Sequence, residues 1–368
     1  MVKLLHAADL HLCSPLAAFS PRAAAARRER QFAALAALFS RAVDEGAQMI
    51  LLAGDVFDAP TPPPDGVARF FAIVKAQPVP VLVAPGNHDY LREGGVWRRG
   101  DRPSNLYVFD TPQPACLDFP TLGTAVYGYG FTAENMPSPT LGDGTGRVAD
   151  RVAILLGHGD LTSPLSPYAP IGAGQLERSG FAYAALGHIH RPAAPLRYGR
   201  TMAAYSGFFA GRGFDETGEG QALFVEIEGE YVGIRVLPSG CDRFERLEAD
   251  MTGATDGAQV VARLQELLSE AAFPPETAVS AVLTGQVSPD CRVNRAALQI
   301  VGEGLALFEV RDRTVPLLDS AYLEKDPSLR GAFYRALLPR LTDGDGEVRA
   351  LAAEALRMGF AALSGGEV

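Results

Sequence analysis

Six histidines punctuate this chain: His6, His11, His88, His158, His188 and His190. Five follow one pattern, in which an apolar run of strand length leads through a short turn into residues that bind metals. The pattern gives Asp9-Leu10-His11, Gly54-Asp55-Val56-Phe57-Asp58, Gly86-Asn87-His88-Asp89, Gly157-His158 and Gly187-His188-Ile189-His190. Carboxylate oxygen and imidazole nitrogen together suit borderline divalent ions such as manganese, iron or zinc. Two such ions ~3.5–4 Å apart lower the pKa of a shared water and clamp phosphate oxygens during in-line attack, and an aspartate can bridge them. Charge builds on those oxygens in the transition state, so a further positive donor helps. Asp9-x-His11 alone is a common pattern; all five motifs in this order are specific. His6 lies inside an apolar run and reads as a core histidine. Asp89 reads as a structural turn carboxylate.

The elements that must position these residues are legible around them. Residues 3–8 read as a buried strand delivering Asp9 and His11. Ser20-Pro21 opens a helix, with serine as cap and proline at the first helical position, and Phe32, Leu35, Leu38, Phe39 and Val43 form its apolar face. Met49–Ala53, Val79–Ala84, Val152–Leu156 and Tyr183–Leu186 are further strands, each ending at a motif. Strands alternating with helices predict a layered α/β core, and ligand sites in such cores sit beyond the carboxyl ends of strands. Ala222–Ile227 and Tyr231–Leu237 read as a hairpin. Pro60–Pro64 and Gly142–Gly146 read as loops.

Pro238-Ser239-Gly240 marks a domain boundary, which gives a catalytic domain over residues 1–238. A smaller α/β domain over 243–315 has strands at Phe244–Leu247, Ala278–Thr284 and Leu305–Val310, and a helix carrying Val260, Val261, Leu264, Leu267, Leu268 and Ala271. A helical segment over 319–368 follows, one helix capped by Asp326-Pro327 and a last one showing Val348, Leu351, Ala355, Leu356 and Leu363.

The chain has 368 residues and a formal charge of −10, which argues against a broadly basic nucleic-acid surface without excluding a local groove. Its four cysteines form no Cys-x-x-Cys pair, as expected of free thiols in a reducing compartment. Cys13 reads as a small space-filling residue. No apolar run approaches the ~20 residues of a membrane span, and no secretory core precedes Asp9, so a cytoplasmic location is expected.

These motifs resemble the calcineurin-like metallophosphoesterase superfamily over roughly residues 3–237. The resemblance implies a β-sandwich flanked by helices. It implies that Asp9, His11 and His190 hold one divalent ion, that Asn87, His158 and His188 hold a second, and that Asp55 bridges them. His88 would donate to the scissile phosphate or protonate the leaving oxygen, and Asp58 would orient His88. Manganese is the expected metal, with iron or zinc as alternatives. The protein Ser/Thr phosphatase branch is disfavoured by Ala59 after Asp58, Pro85 before Gly86, and Asp89 in place of glutamate.

The opening His6-Ala7-Ala8-Asp9-Leu10-His11-Leu12 looks like the SbcD-type DNA repair exonucleases, nearest their YhaO-like branch. Gly211-Arg212-Gly213-Phe214-Asp215-Glu216-Thr217-Gly218 resembles that branch's Gly-Arg-His-x-x-Glu-x-Gly loop, with Gly213 in place of the histidine, and Cys13 stands where an aspartate is common. The resemblance implies a metal-dependent DNA exonuclease with some endonuclease activity, residues 243–315 as a DNA-holding cap, an SMC-like (SbcC-type) ATPase partner docked near the C-terminus, and a homodimer. Arg98, Arg99 and Arg102 beside Trp97, with Arg191 and Arg212, are candidate phosphate contacts, and Trp97 could stack on a base. The competing readings are a small-molecule phosphodiesterase and a non-catalytic scaffold; the second is disfavoured because no expected ligand is missing.

Overall fold

The computed structural model describes residues 1–288, 291–317 and 319–363. The chain divides into two compact units, one ending at Phe244 and the other beginning at Glu245, a few residues beyond the Pro-Ser-Gly turn.

In chain order the first unit contains β1 (Val2–Ala7), α1 (Pro21–Asp44), β2 (Met49–Leu52), α2 (Pro64–Lys75), β3 (Val81–Val83), β4 (Leu106–Val108), β5 (Ala115–Phe119), β6 (Thr124–Gly128), β7 (Val152–His158), α3 (Ala173–Ser179), β8 (Tyr183–Gly187), β9 (Leu196–Tyr198), β10 (Thr201–Tyr205), β11 (Gln221–Glu228) and β12 (Tyr231–Pro238). Two six-stranded mixed sheets result, ordered β12-β11-β1-β2-β3-β4 and β5-β6-β7-β8-β10-β9. The parallel registers place Leu4 opposite Met49, Ile50 opposite Val81, and Ile154 opposite Tyr183.

Alternation along each strand builds the layers. Leu4, Met49 and Leu51 meet Ile154, Leu156 and Tyr183 between the sheets. Leu5, Ile50 and Leu52 face the other way, onto Phe32, Leu35 and Phe39 of α1 and Val67, Phe70 and Val74 of α2. Both faces of β1 and β2 are therefore covered, which is why they read as unbroken apolar runs. The expected sandwich with flanking helices is borne out.

Ser20 caps α1, accepting from Ala23 N, with Pro21 in the first turn as the sequence predicts. The loop expected at Pro60–Pro64 gives way at Pro64, which starts α2; proline suits a first helical turn because its missing N–H has no partner to lose there. His6 is a core residue. Its Nε2 donates to the Leu186 carbonyl, its Nδ1 accepts from the Tyr183 hydroxyl, and burial pushes its pKa down to about 4. Cys13 is half-buried against the helical side of the core.

β13 (Phe244–Asp250) starts at the last residue of the first unit, and the second unit continues with α4 (Gly257–Ala271), β14 (Ala278–Thr284), β15 (Gln286–Val287), α5 (Arg295–Val301), β16 (Leu307–Asp312), β17 (Val315–Pro316), α6 (Ser320–Lys325), α7 (Leu329–Leu341) and α8 (Gly346–Leu363). A three-stranded sheet β13-β14-β16 packs on α4 and α5 through Val260, Leu264, Ala281, Leu283 and Leu298. The cap of α7 is Ser328, whose hydroxyl accepts from Gly331 N; Asp326, expected as the cap, instead accepts from the Ser328 N–H and hydroxyl. Leu356 and Phe360 of α8 are buried with Leu323 and Tyr334, while Leu351 is 74% exposed. Residues 364–368 of the expected C-terminal segment lie outside the described residues. Among the described residues no helix is long and apolar enough to cross a membrane.

Candidate metal centre

The carboxyl ends of β1, β2, β3, β7 and β8 converge on one edge of the sandwich, and each carries a motif. After β1 the chain runs alongside the chain after β2: Asp9 N donates to Gly54 O, His11 N to Asp55 O and Leu12 N to Val56 O. The zipper holds unusual backbone. Asp9, His11, Asp55 and His188 have positive φ values of 51°, 44°, 50° and 102°. Asp and His tolerate this region better than most residues, and such strain, about 1–3 kcal/mol each, persists only where the surroundings over-determine it. The glycines of the motifs permit close approach. A Cβ on Gly54 would lie 2.3 Å from the His158 Nδ1, and one on Gly86 would lie 2.2 Å from an Asp55 carboxylate oxygen.

The expected residues meet. Asp9, His11, Asp55 and His190 offer ligand atoms that all lie within 4.8 Å of one another. His11 Nε2 is 3.2 Å from His190 Nε2 and 3.8 Å from Asp55 Oδ2, and His190 Nε2 is 3.4 Å from Asp9 Oδ1. The same Asp55 Oδ2 lies 3.5 Å from His158 Nε2, which is 2.9 Å from Asn87 Oδ1. The His188 ring sits beside that of His158, centroids 5.2 Å apart, and its backbone N–H donates to both Asp9 carboxylate oxygens at 3.2 Å. Asp55 thus stands between two groups of nitrogen and oxygen donors.

The other ring nitrogens show what this arrangement fits. His158 Nδ1 donates to Ala53 O at 2.9 Å, and His190 Nδ1 donates to Glu216 Oε1 at 2.6 Å. With Nδ1 bonded outward, each ring turns Nε2 towards carboxylate and amide oxygens. Converging lone pairs repel one another unless a cation or proton lies between them, and hydrogen-bonded outer nitrogens are how metal-binding imidazoles are fixed. The residues present therefore fit divalent ions.

The electrostatics agree. Burial raises the Asp55 carboxyl and the nearby Asp9 charge adds to it, reaching about 7. Burial would also raise Asp9, but the His190 hydrogen bond and the surrounding imidazoles outweigh it and hold it at about 2. Burial pushes His11 and His188 down to about 4. Burial would lower His190 too, yet its bonds to Asp9 and Glu216 carry it up to about 10. At pH 7 the metal-free site therefore holds a proton on His190 and a share of one on Asp55, and both groups must lose protons to bind metal. Metal uptake at pH 7 should release about one proton or more per chain, and affinity should rise with pH. Calorimetry in two buffers of different ionisation enthalpy measures this; an identical heat in both would contradict it.

His88 and Asp58 flank the centre. The His88 N–H donates to Asp55 Oδ1 at 2.8 Å, and its side chain is 39% exposed. Its Nδ1 lies 3.4 Å from the Asp58 carbonyl and 3.7 Å from the Asp58 carboxylate. That carboxylate stands nearer to His11, 3.0 Å from a buried Nδ1 but off the line a hydrogen bond prefers, and it accepts from Arg212 Nη1 at 2.9 Å. Asp89 is the structural carboxylate the sequence predicts, accepting from the backbone N–H groups of Gly86, Val56 and Phe57.

The candidate substrate residues fare unevenly. Trp97 is corrected: it is only 2% exposed, packed with Phe57 and Phe70 beneath α2, and its ring has no face left for a base. Arg98, Arg99, Arg102 and Arg191 are exposed, and Arg99 is paired with Asp101. Arg212 is held between Glu216 and Asp58. Two neighbours of the centre are not among the residues expected from sequence. Glu216, in the Gly211–Gly218 loop, holds His190, and Tyr168 lies against His188 with centroids 4.8 Å apart. The loop resemblance was a signal for Glu216; Tyr168 had none.

A family model described as calcineurin-like phosphoesterase matches residues 2–192. The chain belongs to that family. It is a metallophosphoesterase, a hydrolase acting on ester bonds. Among similar proteins, YhaO of Bacillus subtilis (strain 168), described as an uncharacterized metallophosphoesterase, is 28% identical over 72% of this chain and 67% of its own length. The DNA double-strand break repair protein Mre11 of Aeropyrum pernix is 28% identical over 62% of this chain and 59% of its own. The SbcD component of the SbcCD nuclease of Bacillus subtilis (strain 168) is 26% identical over 61% and 66%. The match thus spans about two thirds of each relative or less. The phosphoesterase match covers all five motifs, from Asp9 to His190.

Proposed function

We propose that this phosphoesterase hydrolyses phosphodiester bonds of DNA, with Asp9, His11 and His190 holding one manganese ion, Asn87, His158 and His188 the other, and Asp55 touching both. The observation that carries this reading is Asp55 Oδ2, which lies 3.8 Å from His11 Nε2 in the Asp9, His11, Asp55 and His190 group and 3.5 Å from His158 Nε2, itself paired with Asn87. Two ions bound there supply an activated water at neutral pH and positive charge for the phosphate oxygens. The chain's own residues do the rest. His88, anchored through its backbone to Asp55, presents an exposed imidazole to the leaving oxygen and gives it a proton. Asp58 and Arg212 back the His11 and His88 side of the site. Arg98 and Arg191, both exposed, take phosphates along the strand.

DNA is favoured over a small phosphodiester by the relatives' descriptions as a repair protein and a nuclease component. The SbcD-type resemblance of the motifs implies an SMC-like ATPase partner, docked through the helix around residues 348–363, and a DNA substrate fits a cytoplasmic location. The test is a gel assay of manganese-loaded protein on end-labelled linear DNA, single- and double-stranded, alone and with the ATPase. Cleavage is expected. Intact DNA in every lane, with bis-p-nitrophenyl phosphate or a cyclic nucleotide turned over, would assign a small phosphodiester instead.

A further inference from the structure

Three of the imidazoles around the centre have a second contact that sets the ring, and the one at His190 comes from a residue with no assigned role. Glu216 is 5% exposed and spends both oxygens locally. Its Oε1 accepts from His190 Nδ1 at 2.6 Å and from Arg212 Nη2 at 2.8 Å, and its Oε2 accepts from the Arg212 backbone N–H at 2.9 Å. The same guanidinium donates through Nη1 to Asp58 Oδ1 at 2.9 Å, and that oxygen lies 3.0 Å from His11 Nδ1. One arginine therefore ties together two carboxylates, each beside the outer nitrogen of a different histidine.

The loop is built for this. Glu216 N donates to Gly213 O, closing a turn. A Cβ on Gly211 would sit 2.5 Å from the Glu216 carbonyl, so the loop folds back on itself only with glycine there. Phe214 packs edge-on against Phe244, and Gly218 N donates to Phe244 O, which anchors the middle and the far end of the loop.

We infer that Glu216 and Arg212 form a bracket that positions His190 and Asp58, and through them the ion held by Asp9, His11 and His190. The carboxylate fixes the His190 ring with Nε2 turned towards Asp9, and the guanidinium keeps Asp58 against His11. Arg212 then has its donors committed inside the protein and is a positioning residue in place of a phosphate contact. A carboxylate behind a metal-binding imidazole fixes its tautomer and raises its basicity, and loss of such a partner lowers metal affinity by roughly 10–100-fold. The inference rests on the metal reading of the site and is independent of whether DNA is the substrate.

The experiment is manganese titration of the full chain by calorimetry, with metal content after gel filtration, for wild type, Glu216→Ala, Glu216→Gln and Arg212→Lys. Wild type should bind two ions. Glu216→Ala should bind one as wild type does and the other roughly 10–100-fold more weakly. Glu216→Gln keeps an oxygen acceptor for His190 Nδ1 and should fall between them. Arg212→Lys keeps the charge but loses the fork that spans both carboxylates, and should weaken the same ion. Circular dichroism and melting without metal separate this from misfolding. If Glu216→Ala does not fold, Glu216→Gln carries the test. Two ions bound with wild-type affinity by the folded Glu216 variant would overturn the bracket. A wild type that takes up no metal would instead overturn the metal reading itself.

Discussion

On the proposed DNA-cleaving activity, His88→Ala should lower the rate by roughly 10²–10⁴-fold, the usual contribution of one general acid, while leaving manganese binding intact. The position of His88 argues for this. Its backbone is pinned to Asp55, its Nδ1 faces oxygens of Asp58, and its ring stands edge-on to His11 with centroids 4.7 Å apart. Acceptors on the Nδ1 side leave Nε2 to reach an incoming phosphodiester. The role is separable from metal binding by the choice of leaving group. A deoxyribose oxygen leaves as a strong base and needs a proton, whereas p-nitrophenolate leaves without one. His88→Ala should therefore lose much less activity on bis-p-nitrophenyl phosphate than on DNA. Equal losses on both substrates would reassign His88 to phosphate binding, and loss of manganese in the variant would make it part of the metal set.

Asp55→Asn should stabilise the metal-free protein and abolish its response to manganese. The Asp55 carboxyl is raised from an ordinary 3.8 to about 7, first by burial and then by the Asp9 charge. An acid whose pKa is higher in the folded state lowers stability as pH rises. The penalty is absent below about pH 4, grows towards pH 7 and is complete above it. Asparagine keeps an oxygen to accept the His88 N–H and carries no charge to bury. At pH 8 without metal the variant should gain roughly 1–3 kcal/mol, a few degrees in Tm, and the gain should vanish near pH 4. With manganese the order reverses, because ions that bind only the folded state stabilise it by mass action and the variant has lost the carboxylate between the two donor sets. Melting curves at pH 4 and pH 8, with and without manganese, decide it. A variant less stable than wild type without metal at pH 8, or one with the same manganese shift, would show that Asp55 is not the strained bridge described here.

Together these two substitutions divide the site along a physical line. Asp55 is buried with its carboxyl held well above the ordinary range, whereas the His88 side chain stands partly open to solvent at the edge of the site. Strain points the same way as charge: positive φ at Asp9, His11, Asp55 and His188 concentrates unfavourable backbone where the donors must converge.

The amino-acid sequence by itself determined the strands that end at the site and the residue types they deliver. Strands buried on both faces leave continuous apolar runs, and a glycine after such a run marks a turn, so strands over Met49–Ala53, Val152–Leu156 and Tyr183–Leu186 were readable, each leading into candidate donors. Caps formed within a few residues were readable too, as at Ser20. Short elements that depend on neighbours were not. Strands β4, β5, β6, β9 and β10 lack long periodic runs and exist because adjacent strands offer them partners. The cap expected at Asp326 falls instead to Ser328, with Asp326 accepting from the Ser328 N–H and hydroxyl.

Only the tertiary structure decided which side chains share a partner. Trp97 stands directly before Arg98-Arg99-Gly100, among candidate phosphate contacts, yet its ring packs with Phe57 and Phe70. Glu216 reaches His190 from 26 residues away, and Arg212 reaches Asp58 across 154. Such pairings carry no local period or cap signal. They arise where loops from separate strands meet at one edge, and it is those contacts that turn seven donors spaced along the chain into one centre.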